Sequence, residues 1–555
     1  MLETLRIALY SLLVVIGLFL YQAWQREHPV MAAPPASAAS GVAETPSHFT
    51  PDASARNESA NTTAREANTE PAGVKAGLAA PATGQLISVK TDLMDVAIDT
   101  RGGDIVSVKL PAYPESLGSK QPFTLLTNDS STRYIAESGL LGKMGPDTSN
   151  RQALYTMDHS DYSLDPGEND VVVTLRWQKN GIKVLKTFTF TRGSYEIKVG
   201  YTLNNQSSEP WAGNLYTQLM RKNTPPVSHG GFVNLATYFG AAITTPAKAF
   251  QKVPFKEMDK TNLEQAVKDG WVAMIQHYFV GAWVPPKEAV STYYSKVTQD
   301  GLYTIGMIGQ ALTAQPGTQV STQVKLYAGP AIADLLEQAA PGLKLTIDYG
   351  WFWFISALIF MAMQKIYAVV GNWGWSIVLV TVVIKLIFYP LSAKSYRSMS
   401  VLKKLQPKMA ALKERFAEDK QKLTQATMEL YRQEKVNPMS GCLPVLIQIP
   451  VFIALYWVLV ESVQLRQAPF IFWIHDLSQQ DPYYVLPVLM GLSMFVQQRL
   501  NPPPPDPIQA KVMMMMPLVF TVLFASFPAG LMLYWFVNNT LSFAQQWYVM
   551  RSLDK

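Results

Sequence analysis

Six apolar runs follow residue 340, at 351–370, 374–392, 442–461, 483–499, 512–527 and 529–549. A helix needs about 20 predominantly apolar residues to cross a ~30 Å hydrocarbon core. Backbone that spans lipid must also satisfy its own hydrogen bonds, which favours helices over open sheets. The C-terminal part therefore reads as a polytopic α-helical membrane protein. Charged residues make up 16% of the chain, against the roughly 25% typical of soluble domains. The mean hydropathy of +0.06 is an average over a membrane part and a soluble part.

Upstream the texture differs. Residues 5–24, LRIALYSLLVVIGLFLYQAW, form one more nearly unbroken apolar run, with Trp24 and Arg26 placed as an interfacial anchor. A cleaved signal peptide is the alternative, because small residues follow at 32–40. We read 1–25 as a retained transmembrane anchor. Residues 26–84, rich in Ala, Pro, Ser, Thr and Asn, bury too little apolar surface to offset their ordering entropy and read as a linker. From 85 to 340 apolar and polar positions alternate. The stretch 86–110 alternates around a Gly-Gly turn, and 170–205 alternates for four strands' worth with Asn180-Gly181 as a hairpin signal. Further alternation at 291–309 and 318–330 completes the pattern of an antiparallel β-sandwich.

Charge orients the chain. Residues 393–438 hold eleven Lys/Arg against five Asp/Glu, a net of +6 that equals the excess of the whole chain. Positive loops stay cytoplasmic, whereas the β-domain behind the anchor is exported. An odd number of crossings must separate the two. Residues 341–373, with an aromatic cluster at the start of the apolar run and Gln364-Lys365 further along, then read as an interfacial amphipathic helix. Residues 374–555 form a five-helix core whose first span is 374–392. Both termini fall in the cytoplasm and 26–373 in the periplasm. Apolar positions at 402, 405, 409, 412 and 416, with Leu423, Ala426 and Leu430, predict a cytoplasmic helical hairpin over 393–438. Lys403, Lys404, Lys408, Lys413 and Arg415 supply much of its charge. That charge serves as a topology signal, as an anionic-lipid contact or as a docking face for RNA-rich or protein partners.

One side chain stands out. Lys385 sits inside the run GWSIVLVTVVIKLIFYPLS, on the order of 10 Å from its cytoplasmic end. It either snorkels to the interface or faces a water-filled cavity. Thr381 lies one turn earlier on the same face. Gln448, Gln497, Gln498, Asn538, Asn539, Ser542, Gln545 and Gln546 add further polar positions, and Tyr534-Trp535 reads as an aromatic belt or as groove lining. Met513 to Met516 form a run suited to apolar surfaces of varied shape, in lipid, core or partner. One cysteine, Cys442, allows no internal disulfide, and six scattered histidines form no zinc motif.

The stretches VGNWGWSIVLVT (370–381), YPLSAKSY (389–396), LQPKM (405–409), EKVNPMSGCLPVLIQIPVFIALY (434–456), LRQAPFIFWIHDLSQQDPYYVLPVLMG (465–491) and FPAGLMLYWFVNN (527–539) resemble the YidC/Oxa1/Alb3 family, in its Gram-negative YidC form. The resemblance implies a membrane protein insertase and chaperone of the inner membrane, working without ATP, metal or other cofactor, alone or with the Sec translocon. It implies a hydrophilic groove lined by Lys385, Thr381, Gln448, Tyr534, Trp535 and Asn538, where the family's groove arginine is here Lys385 and a tyrosine is here Trp535. The β-domain resembles a supersandwich. Partners implied are nascent inner-membrane proteins, the Sec translocon, membrane lipids, and the ribosome and signal recognition particle receptor, with no direct nucleic-acid function. The chain ends RSLDK, without the family's longer basic tail. Two other readings of the residues remain at this stage, a solute transporter or channel whose lysine binds an anion, and a membrane-anchored carbohydrate-active enzyme.

Overall fold

The computed structural model describes residues 84–148, 152–225, 237–298, 300–416, 419–434, 443–500 and 507–553. The expected anchor at 1–25, nearly all of the linker, Cys442, the last residues of the basic loop and the proline run after 500 lie outside the described residues.

Two large sheets, of ten and nine strands, pack face to face over residues 86–330. The described strands pair antiparallel apart from Leu86–Lys90 with Asp161–Ser163. Gly102 and Gly103 turn the chain between strands Asp95–Asp99 and Asp104–Pro114 at φ 70° and 65°. The 170–205 stretch makes three ten-residue strands, Asp170–Lys179, Ile182–Thr191 and Glu196–Asn205, one fewer than the alternation suggested. Each strand runs longer than the average on which the count rested. The first hairpin turns at Asn180-Gly181, both left-handed at φ 49° and 77°, as a two-residue turn matched to strand twist demands. Trp211, Trp271, Trp283 and the inward-facing aliphatics fill the space between the sheets.

One inward position is charged. In IKVLKTFTFT every second residue from Ile182 points into the core, so Lys186 is fully buried there. Its ammonium donates to the carbonyls of Gly102 (2.9 Å) and Ser138 (2.7 Å) and lies over the rings of Phe188 and Tyr201. Burial pushes the Lys186 ammonium down to about 8 against the pull of Asp104, Asp147 and Glu137. Burial likewise lifts Glu137 to about 7 and raises Asp104.

The helical part comprises α1 (Trp353–Val370), α2 (Trp373–Ile387), α3 (Tyr389–Lys404), α4 (Gln406–Arg415), α5 (Lys420–Gln433), α6 (Leu443–Glu461), α7 (Val485–Leu500), α8 (Pro507–Phe524) and α9 (Ala529–Leu553). Among the described helices, α1 alone is long and apolar enough to pass for a membrane span unaided, and α2 with α3 passes only as a pair. That pair bends by 67° around Phe388, because Pro390 has no N–H to continue the ladder. The first expected span thus ends at Ile387, and its last residues belong to a second helix. The hairpin's first helix is also split, at Leu405, with Pro407 opening α4.

One end of the helical bundle is pinned. Asn372 caps α2 by accepting from the N–H of Trp375 (3.1 Å). Asp481, fully buried, accepts from the N–H groups of Tyr483 and Leu486 and from the indole of Trp473 at the start of α7. The N–H groups of Ala529 and Gly530 donate to Gln479 and Leu477, closing the tight turn into α9. A side chain at Gly374 would collide with the ring of Phe470.

The two parts meet through the segment after α6. Arg466 donates to the carbonyls of Pro114 (2.7 Å) and Glu115 (3.0 Å) in the β-domain. The His277 ring Nε2 lies 2.8 Å from the carbonyl oxygen of Val460 in α6. Burial pushes this imidazole from 6.5 down to about 4. A histidine depressed by folding stabilises fully above the unfolded value and loses that contribution as pH falls toward the folded one. Thermal stability is therefore expected to fall between pH 6.5 and 4 through this group, by at most roughly 3 kcal/mol and less because the ring is partly exposed. Melting curves of the full chain across this range, with His277→Gln flattening the slope, check it.

Candidate functional site

Four of the sequence-predicted groove residues converge. Lys385 comes from the last turn of α2, Gln448 from α6, and Tyr534 and Asn538 from α9, one turn apart. With Ile384, Phe388, Leu391, Ser392, Ile447 and Val451 they line one recess, open on one side, of about 30 Å³. That is room for roughly two waters. Tyr534 and Asn538 are almost completely buried, and Lys385 and Gln448 partly so.

The donors outnumber the acceptors. The Lys385 ammonium donates to the hydroxyl of Ser542 at 2.6 Å, which leaves two of its three N–H donors. The Gln448 amide nitrogen is buried without a hydrogen-bond partner among the described residues. Beside it stand apolar walls from Ile384, Ile447 and Val451. A recess of this kind favours an acceptor-bearing guest: a carboxylate, a peptide carbonyl or water.

The remaining predicted residues lie elsewhere. Thr381 is fully buried on the Lys385 face of α2, but its hydroxyl donates back to the carbonyl of Ile377 (2.6 Å) and does not line the recess. Trp535 points into an aromatic cluster with Phe452, Phe520 and Phe524, at centroid distances of 4.6, 6.2 and 4.6 Å. Lys403 and Lys404 end α3, Lys408 pairs with Glu434 at 2.7 Å, and Lys413 and Arg415 end α4. All five are exposed and none lines the recess. One residue that the sequence did not single out as a groove residue reaches Lys385: Ser542, whose hydroxyl accepts from the ammonium. The spacing 534, 538, 542 along one face of α9 is the signal that marks Ser542.

A bundle of apolar helices around a cationic, donor-rich recess, joined to an exported type of β-sandwich, defines a membrane protein that handles polar chemistry at membrane depth. Residues 86–362 match the family model described as the YidC periplasmic domain, and 365–555 the model described as the 60Kd inner membrane protein. The chain is 50% identical over 471 residues to the membrane protein insertase YidC of Pseudomonas fluorescens (strain SBW25), covering 84% of each. It is 49% identical over 549 residues to that of Legionella pneumophila (strain Corby), covering 98% of this chain and 96% of the relative. A solved structure described as an active YidC insertase with its first transmembrane domain resolved covers 84% of this chain at 18% identity, with a TM-score of 0.37 that adds nothing to the assignment. The chain belongs to the YidC family of membrane protein insertases. It is thus an inner-membrane protein with a periplasmic β-domain, and the transporter and carbohydrate-enzyme readings give way.

Proposed function

We propose that the recess around Lys385 is the groove through which the polar or acidic flank of a nascent inner-membrane protein enters the bilayer. The observation that carries this reading is the convergence of Lys385, Gln448, Tyr534 and Asn538 from three helices on one space. A charged group at the bilayer centre costs about 2.5–3.5 kcal/mol on insertion scales. Two waters, a fixed cation and an unpaired amide donor offset part of that cost. The membrane potential then favours outward passage of negative tails by ~2.3 kcal/mol per charge per 100 mV. The recess is too small for a polypeptide as it stands, so entry needs the surrounding helices to part, and the break at Phe388 supplies a joint between α2 and α3.

The topology that fits has 1–25 as an anchor, 26–84 as a linker and 85–340 as the periplasmic domain. Within 341–373 the helix from Trp353 lies in the outer interface, while Leu343 and Ile347 pack into the sandwich core, and 374–555 form a five-helix core with the hairpin 393–438 in the cytoplasm. The exposed aromatics Trp351, just before α1, and Trp353 and Phe354 at its start support the interfacial placement. Both termini are cytoplasmic. Thr381 and Trp535 then act behind the groove wall, as packing. Lys403, Lys404, Lys408, Lys413 and Arg415 offer the hairpin's basic face to lipid headgroups, the ribosome or the signal recognition particle receptor. The Sec translocon is a further partner. The groove works by solvation and makes no covalent bond, so the protein is no enzyme and uses no cofactor. Replacing Lys385 by Ala and by Arg, with insertion as the readout, tests the reading.

A further inference from the structure

The Lys385 ammonium ends a flexible four-carbon stem in the last turn of α2, next to Leu386 and Ile387, which are both 65% exposed. A lysine so placed has an easy alternative, which is to extend along the apolar surface toward the headgroups. Among the described residues, what opposes this is the 2.6 Å bond to Ser542. Ser542 is 3% exposed, and its own proton is committed to the carbonyl of Asn538 at 2.7 Å. A serine oxygen whose proton is spent has only lone pairs left to offer. One receives the ammonium.

We propose that Ser542 is a positioning residue that holds the Lys385 ammonium at the recess. The proposal rests on the groove reading above and adds to it the means by which a lysine keeps its charge in place. Arginine carries a rigid fork with five donors, whereas lysine is a point charge on a mobile stem and depends more on an external acceptor. Ser542 supplies that acceptor from α9, and it leaves two N–H donors for the incoming chain.

The test uses the full-length protein in a strain depleted of its own insertase, with protein amounts matched. Two versions of one short single-spanning substrate serve as probes, one with acidic residues in its N-terminal tail and one with their amides. Ser542→Ala is expected to lower insertion of the acidic version relative to the amide version on the order of tenfold, the scale of one charge-assisted hydrogen bond. Ser542→Thr, which keeps the hydroxyl, restores the ratio. In a Lys385→Ala background Ser542→Ala adds no further preference, since the residue acts only through the cation. An equal loss for both substrates, an undiminished effect without Lys385, or no effect at all would overturn the positioning role. If instead Lys385→Ala itself leaves insertion of both substrates intact, the groove reading falls first, and the two failures are told apart.

Discussion

Lys385→Ala is expected to reduce insertion of small, weakly hydrophobic substrates with acidic tails to background, while Lys385→Arg keeps most of it. The alanine removes the cation from the recess and opens apolar space beside Ile384 and Gln448. Ser542 is left with an unfilled lone pair, and no charge remains to hold water at that depth. The arginine keeps the charge and offers more donors, of which Ser542 takes one. Strongly hydrophobic substrates depend less on the groove, because their apolar segments partition into lipid unaided. The measurement is protease protection of a tagged tail in cells depleted of the native insertase. Full insertion by the alanine variant would remove Lys385 from the mechanism.

The second large effect lies in the periplasmic domain. Lys186→Ala is expected to lower the melting temperature of the full chain by on the order of 10 °C. Removing one member of a buried charged cluster leaves the others uncompensated, at a cost of about 3–5 kcal/mol. Asp104 and Glu137 then lie close together inside the sandwich, bonded by the side chains of Gln152 and Gln218 and near the Asp147 carboxylate. The carbonyls of Gly102 and Ser138 lose their donor as well. Lys186→Met, which fills the same volume, costs less because it leaves no cavity. Equal stability of the alanine variant, measured by thermal unfolding in detergent, would show that the cluster is not a keystone of the sandwich.

Much of this architecture is legible in the residues, for stated reasons. Alternation with Gly-Gly and Asn-Gly turns marks the sandwich, because period two and left-handed turn residues leave few other options. Lys186 was missed in the sequence, although it falls on the inward register of Ile182, Val184, Phe188 and Phe190 and reading the register residue by residue exposes it. The excess of charge in 393–438 marks the basic hairpin, and Pro390 marks the break at Phe388, because it has no N–H to continue the helix. Lys385, Gln448, Tyr534 and Asn538 were each suspect as polar or aromatic residues in apolar runs. Their meeting in one recess is a property of three helices far apart in sequence. Trp535 shows the limit of the same approach. It is adjacent to Tyr534, and the 100° between successive helix positions sends it to Phe452 and Phe524 instead. The bond from Lys385 to Ser542 spans 157 residues and left no local trace beyond helical spacing on α9.

The central claim is that incoming chains pass through this recess. A photo-crosslinking residue placed at 448 or 538 in the full-length protein, and a control at Leu358 on the exposed face of α1, reads the path of a stalled nascent membrane protein. The account predicts crosslinks from 448 and 538 to the polar flank of the substrate, and none from 358 to that flank. Crosslinks confined to 358, with none from 448 or 538, would contradict it.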